Sequence, residues 1–361
     1  MAKKDIIRVG VVGQGRSGKN IHCRHLVTVP DKYRIVAVSD PLAERRKKAE
    51  QDYGCKAYAS HKGLLKHDDI DLIVNASPSR LHVPLSIEAL KAGFNVLCEK
   101  PLARKTAEVD KVIRAARNTG KVMAVFQNNR YAAHFLQVRK VVESGKLGRI
   151  VMIKAAANGF SRRWDWQTLR RNYGGNLLNT GPHTLDQLLQ LFGTDIMPEV
   201  TCVMDRANTF GDAEDHVKLL LKAKGRPTVD LEISSCCAYP GDSYNVYGTR
   251  GGLSAGRGEV RWKYFDPKAQ PKQNLTTEPL ENEFGVPVYC RENLKWTERS
   301  WEPKKGGKSP VARYYEMLYR TLTQGAPLEV TLQHVRQQIA IIEECHRQNP
   351  PGRMPKAELG K

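Results

Sequence analysis

The stretch Ile6-Ile7-Arg8-Val9-Gly10-Val11-Val12-Gly13-Gln14-Gly15-Arg16-Ser17-Gly18 decides how this chain is read. The apolar run 6–12 has the look of a buried strand, and residues 17–27 have the look of a helix. Between them three glycines stand in a GxGxxG turn, with Gln14, Arg16 and Ser17 filling the intervals. In such a turn Gly13 makes the tight bend, Gly15 lets a pyrophosphate approach the backbone, and Gly18 lets helix and strand pack closely. The phosphate then rests on the free N–H groups at the helix N-terminus. Glycine-rich turns are common, but two contexts strengthen this one. It lies at the first strand–helix junction of an alternating chain, and Asp40 ends the next strand, 22 residues after Gly18. A carboxylate there accepts hydrogen bonds from ribose hydroxyls and repels a 2′-phosphate. The expected cofactor is therefore NAD, with NADP second. The neighbouring Arg45 and Arg46 speak for NADP, because arginines hold a 2′-phosphate.

Outward from this turn the first half of the chain keeps alternating. Residues 34–40, 71–76, 95–99 and 121–126 are short apolar runs, and 42–53, 81–91 and 107–117 are helix-like. Strand, helix, strand at this spacing predicts a doubly wound parallel sheet, a Rossmann domain over residues 1–127. After Gly148 the pattern changes. Residues 150–156, 200–203, 217–221, 228–234, 244–248 and 260–264 follow with mostly short breaks, interrupted by one helix-like segment at 177–192. The α/β half is thus followed by an α+β domain with a large, mostly antiparallel open sheet, over residues 128–330. The polar, proline-containing stretch 266–308 reads as a surface excursion. Two helices close the chain at 310–323 and 332–347, with Thr331 as N-cap. Residues 331–361 are expected to pack back on the core and end in a loose tail from Asn349. With few helices to cover both faces of the second sheet, one face is expected to be apolar and uncovered. That predicts a homodimer or homotetramer.

Composition bounds the function. The chain has 361 residues, 40% hydrophobic, enough for two domains with cores of their own. No run of about 18 apolar residues occurs, so no membrane span is expected. The start MAKKDIIRVG lacks an apolar h-region, so a secretory signal is not expected either. The eight cysteines form no CxxC pair, which predicts reduced thiols in the cytoplasm and no metal site. The net charge is +20, but Lys and Arg are spread from Lys3 to Lys361 without a long run. A solvated basic surface is expected, not a nucleic-acid partner.

Two further motifs carry a resemblance. Ala76-Ser77-Pro78 is followed by His82, and then by Ala92-Gly93-Phe94-Asn95-Val96-Leu97-Cys98-Glu99-Lys100-Pro101. Together with the glycine turn, this strand end, helix and Glu-Lys-Pro turn resemble the Gfo/Idh/MocA oxidoreductases over nearly the whole chain. The resemblance implies that Lys100 reaches both the nicotinamide and the substrate hydroxyl, and it too implies an oligomer. Physics gives Lys100 a case of its own. Ligands of open α/β sheets bind outside the carboxyl ends of the strands, where Lys100 lies. A cation there stabilises alkoxide character as hydride leaves. His82, in the first turn of a helix, is either a neighbour of the cofactor or a structural histidine. Ser77, Pro78, His82, Glu99 and Gln127 complete the expected cofactor set.

The segment Gly174-Gly175-Asn176-Leu177-Leu178-Asn179-Thr180-Gly181-Pro182-His183-Thr184-Leu185-Asp186 resembles the family's second-domain signature. Inositol dehydrogenases have an aspartate where this chain has Asn179, and an amide cannot hold the charge. If the segment is one helix, Asn179, His183, Asp186 and Gln190 share a polar face. If Pro182 starts the helix, Asn179 belongs to the preceding loop, and His183 and Asp186 still share a face. His183 is the expected general base, and Asp186 is placed to orient it in lieu of the missing carboxylate. Around the substrate, Asn128 and Arg130 follow the strand at 121–126, and Arg163, Trp164 and Trp166 precede this signature. Indole rings stack on the C–H faces of sugars, and Arg and Asn donate to hydroxyls or carboxylates.

These residues predict an NAD-dependent dehydrogenase or ketone reductase acting on a sugar or cyclitol. A glycoside hydrolase that transiently oxidises its sugar on a retained NAD is the alternative; it needs a further acid/base, for which Asp165, Tyr131 and Asp186 are candidates. A cofactor-binding regulator without turnover is the third reading, but it requires neither Lys100 nor His183.

Overall fold

The computed structural model describes residues 6–256 and 258–351. Its first sheet has six parallel strands: β1 (Ile7–Val12), β2 (Tyr33–Ser39), β3 (Lys56–Tyr58), β4 (Leu72–Asn75), β5 (Asn95–Cys98) and β6 (Met123–Val125). They lie in the order β3-β2-β1-β4-β5-β6, the doubly wound arrangement expected. Helices on both faces bury these strands, so they read as continuous apolar runs; all four residues of β4 are buried. The topological switch falls between β1 and β4, and a ligand crevice opens there beyond their carboxyl ends. Strand β3 is short and gave no apolar run to find. The helix expected at 17–27 begins as a wider π-type turn, Gly18–Cys23, before Arg24–Leu26.

The second sheet has eight strands. They are β7 (Ile150–Asn158), β8 (Glu199–Asp205), β9 (His216–Lys222), β10 (Thr228–Ser234), β11 (Tyr244–Gly248), β12 (Gly251–Ala255), β13 (Val260–Phe265) and β16 (Trp296–Trp301). All neighbours pair antiparallel except β7 and β10. The stretch 266–308 is not wholly an excursion. It makes a small hairpin, β14 (Leu280–Glu281) with β15 (Pro287–Val288), and then returns as β16, which sets Trp301 opposite Val260 at the sheet edge. Glycine-led β12 and the helix Ala133–Glu143 were also absent from the reading above.

Alternation along β9 and β10 sends Val217, Leu219, Leu221, Val229, Leu231 and Ile233 into the core. The opposite face is mixed where an apolar one was expected: Val203, Tyr247 and Trp296 stand exposed on it. Its centre holds Lys218 paired with Asp230 and Glu232, which is a solvated arrangement. Among the described residues no helix is long and apolar enough to cross a membrane.

The two closing helices are Pro310–Gln324 and Leu332–Gln348. Thr331 caps the second, its hydroxyl accepting from the His334 N–H. Both lie against the nucleotide-type sheet: Tyr314 donates to the Val125 carbonyl, Tyr33 donates to the Tyr315 carbonyl, and Arg336 pairs with Asp110. The expected loose tail starts later than Asn349, whose amide donates to the Cys202 and Cys345 carbonyls. The rest of it, from residue 352, lies outside the described residues.

Candidate active site

The glycine turn has the shape its three roles demand. A Cβ on Gly13, where φ is +93°, would lie 2.6 Å from the Ala76 carbonyl oxygen, and one on Gly18 would lie 1.8 Å from that of Gly13. Neither fits. A Cβ on Gly15 would meet only the Arg45 guanidinium, at 3.8 Å, so the backbone there is open to an approaching group. This clearance fits a pyrophosphate over Gly15 at the end of β1. Asp40 sits at the end of β2 as expected. Its Oδ2 accepts from the Gln14 N–H at 2.9 Å and faces Arg45 at 3.4 Å; Oδ1 accepts from the Leu42 N–H. Gln14 is buried, whereas Arg16 is exposed and Ser17 half-buried.

Beyond β4, Asn75 fixes the next turn. Its amide donates to the His82 carbonyl, and its carbonyl accepts from the hydroxyl of Ser77, which precedes Pro78. His82 does not face the cofactor crevice. It is buried, with Nδ1 2.7 Å from the Pro101 carbonyl and Nε2 2.9 Å from that of Ser77. A ring so engaged clamps two turns together and has no atom left for a ligand, so the expected cofactor contact gives way to the structural alternative. Glu99 is also interior. Burial pushes its carboxyl up, but His22 at 3.2 Å and the charges of Lys100 and His82 outweigh this and leave it at about 2. His22 in turn meets the Tyr315 hydroxyl at 2.7 Å. That chain links the helix behind the glycine turn to the residue next to Lys100.

Lys100 follows Glu99, and its peptide to Pro101 is cis. Its Nζ donates to the main-chain carbonyl of Asn179 at 2.9 Å, so it spans from the first domain to the second. Burial lowers its proton affinity; Glu99 opposes this, and Arg16 and Arg163 reinforce it. The signature segment breaks into two helices, Asn176–Asn179 and Gly181–Phe192, with Pro182 in the first turn of the second. Asn179 thus ends a separate turn and is not on the helix of His183, as the Pro182 alternative required. Burial first, and Lys100 second, drive His183 down to about 3, so the imidazole is neutral. Its Nδ1 is buried and has no hydrogen-bond partner.

Asp186 does not orient that ring. Both its oxygens are taken by Arg130, Nε at 2.8 Å and Nη2 at 2.5 Å, in a fully buried pair. Arg130 also donates to the Glu329 carbonyl, so it is a structural cation and not the substrate contact expected of it. Gln127 is buried at the end of β6, its amide on Gln338 and its Oε1 without a partner; Asn128, next to it, is half-buried. Arg163 holds Asp165 through two bonds of 2.8 Å, while Trp164 and Trp166 stand exposed beside it.

Glu214 went unnoticed in the sequence. It is buried beneath Gly175, its Oε1 accepting from the Leu177 N–H while Oε2 has no partner, and burial pushes it up to about 7. Its segment, Gly211-Asp212-Ala213-Glu214-Asp215, carries no periodicity that marks one acid as interior. Among the described residues no cluster of histidine, cysteine or acids is placed to hold a metal.

A glycine turn open to a pyrophosphate, an acid at the next strand end, a lysine just past β5 and a histidine on the helix Gly181–Phe192 define an NAD-binding oxidoreductase. Residues 7–127 match the profile "Oxidoreductase family, NAD-binding Rossmann fold", and residues 135–254 match the "GFO/IDH/MocA C-terminal domain". The chain belongs to the Gfo/Idh/MocA family. It is similar to scyllo-inositol 2-dehydrogenase (NADP(+)) IolW of Bacillus subtilis, 24% identical over 94% of this chain and 93% of that one. It is also similar to inositol 2-dehydrogenase of Salmonella paratyphi B, 24% identical over 68% of this chain and 72% of that one. The WlbA dehydrogenase of Bordetella pertussis, solved with NADH and UDP-GlcNAcA, has the same fold, with a TM-score of 0.74 at 22% identity over 96% and 98% of the chains.

Proposed function

We propose that this protein transfers hydride between a sugar or cyclitol hydroxyl, or the matching ketone, and NAD, with Lys100 and His183 as the catalytic pair. One observation carries the reading. The Lys100 ammonium reaches across to the Asn179 carbonyl, just before the helix that carries His183, and the buried Nδ1 of that imidazole has no hydrogen-bond partner. Gly13, Gly15 and Gly18 would seat the pyrophosphate and Asp40 the ribose, and bound NAD supplies the hydride acceptor. Lys100 donates a hydrogen bond to the reacting oxygen and favours its alkoxide character. Neutral His183 accepts the hydroxyl proton in oxidation and returns it in reduction. The scyllo-inositol and inositol dehydrogenases among its relatives support a polyol substrate.

The acids named for the hydrolase alternative are engaged elsewhere, and Glu214, raised to about 7, is the carboxyl left to it. Asp165 is held by Arg163, Asp186 by Arg130, and Tyr131 donates to Glu329. A panel of sugars, cyclitols and aryl glycosides with NAD tests the choice. NADH formed from a polyol supports the dehydrogenase; aglycone released without net NADH overturns it. A cytoplasmic homo-oligomer belongs to the same proposal, the compartment from the unpaired cysteines and the oligomer from the second sheet and the resemblance; a monomer by light scattering ends the oligomer part.

A further inference from the structure

The loop that leaves β7 is stapled down and yet presents aromatic rings to solvent. Phe160 bridges to Cys236, and the Ser161 N–H donates to the Ser235 carbonyl at 3.0 Å, so the loop starts on the end of β10. Its middle is tied to the β8–β9 connection. The Phe210 N–H donates to the Arg163 carbonyl at 2.9 Å, and the Ala213 N–H donates to that of Thr168 at 3.0 Å. On this fixed frame Trp164 is 79% exposed and Phe210 47% exposed. Their centroids lie 6.5 Å apart, edge to face, and Arg162 lies over the Phe210 ring at 5.2 Å. Neither ring contributes to the core.

The rim adjoins the proposed reaction centre. Arg163, the residue before Trp164, lines a small cavity together with Gln167, Asn176 and Glu214, and Asn176 opens the turn whose last residue, Asn179, accepts from Lys100. The site thus runs from a polar, cationic inner part to an aromatic outer part along one loop. We propose that Trp164 and Phe210 form a platform for a second sugar ring, so that the substrate is a glycoside or short oligosaccharide whose oxidised ring sits at Lys100. This deepens the carbohydrate reading above and rests on it. A pyranose offers an apolar C–H face to an indole and hydroxyls to a flanking guanidinium group, and Trp164 beside Arg162 offers both partners. Trp, Phe and Arg are also the residues enriched at protein interfaces, so a partner protein is the competing occupant, and the position of the patch on the loop that lines the reaction-centre cavity favours the sugar.

The test compares glucose and galactose with cellobiose, maltose and lactose on the intact chain. It uses NADH formation for kcat/KM and quenching of tryptophan fluorescence for binding. At least one disaccharide should exceed its monosaccharide about tenfold in kcat/KM and in affinity, the scale of one stacked ring. Trp164→Ala and Phe210→Ala should each bring that ratio close to one, and Phe210→Ala should leave the monosaccharide values and the melting temperature unchanged. Phe210→Ala keeps every native tryptophan, so its quenching reads binding directly. A disaccharide advantage that survives both substitutions overturns the platform, as does monosaccharide turnover with no disaccharide advantage. A change of oligomeric state in either variant overturns it in favour of a protein contact. Failure of every sugar while a cyclitol is still turned over overturns this inference and leaves the proposed function standing, and failure of the cyclitols as well removes both.

Discussion

Asn179→Asp restores a carboxylate at the position where inositol dehydrogenases carry one, and the structure says what that should do. In the native protein burial and Lys100 hold His183 at about 3 against an ordinary 6.5. At 1.36 kcal/mol per unit, this disfavours the imidazolium by roughly 5 kcal/mol. Asp186 gives no relief, since Arg130 takes both its oxygens. Position 179 lies beside Lys100, whose ammonium its carbonyl holds and whose charge depresses His183, and an opposite charge within about 4–6 Å of an ionisable group moves its pKa by about 1–3 units, here upward by about two. The sign follows from the role: a base works only when neutral, so activity falls as the pH drops through the folded-state value. The acid limb of kcat/KM for polyol oxidation should therefore lie near 3 in the native protein and near about 5 in Asn179→Asp. Asp186→Asn should leave the limb in place. Initial rates of NADH formation at constant ionic strength give the profiles, with His183→Ala as the control. Superimposable limbs for the native protein and Asn179→Asp would falsify the placement of His183 as the base facing that position.

Three further outcomes are expected. Lys100→Ala should lower kcat by about a hundredfold or more while NAD still titrates normally, and unchanged turnover removes the lysine from the mechanism. Asp40→Ser should relax the preference for NAD over NADP in binding titrations; a native protein that binds NADP clearly more tightly overturns the assignment. Arg130→Met should cost about 3–5 kcal/mol in urea unfolding by stranding Asp186, and adding Asp186→Leu should recover most of it. A single-variant loss below about 1 kcal/mol would mean that the pair is not desolvated.

What the sequence disclosed and what it hid divide along chain distance. The glycine turn, Asp40 and the Glu-Lys-Pro turn are local, since each role follows from a few neighbouring residues and the strand before them. The break at Thr180 was legible because Pro182 restricts its own neighbourhood. Roles set by distant partners were not legible. Asp186 looked free to serve His183, but Arg130, 56 positions earlier, claims it. His82 looked like a cofactor neighbour until the carbonyls of Ser77 and Pro101 took both ring nitrogens. Strands β12 and β16 escaped for a different reason. Gly251-Gly252-Leu253-Ser254-Ala255 and Trp296-Thr297-Glu298-Arg299-Ser300-Trp301 carry too few apolar residues to announce a strand, and neighbouring strands recruit them.

The placement of the last two helices has a consequence for how the chain is made. The nucleotide-type sheet is encoded first, yet parts of its covering arrive last: Gln127 waits for Gln338, 211 residues on, and Tyr33 waits for Tyr315, 282 residues on. At about 5–20 residues per second, a lag of 211 residues lasts roughly ten to forty seconds on the ribosome. Through that interval the flank of β6 around Phe126 and the face of Tyr33 lack the tyrosines that later bury them. A stop codon between residues 128 and 309 leaves a chain with its glycine turn and six parallel strands encoded in full and one side of that domain bare.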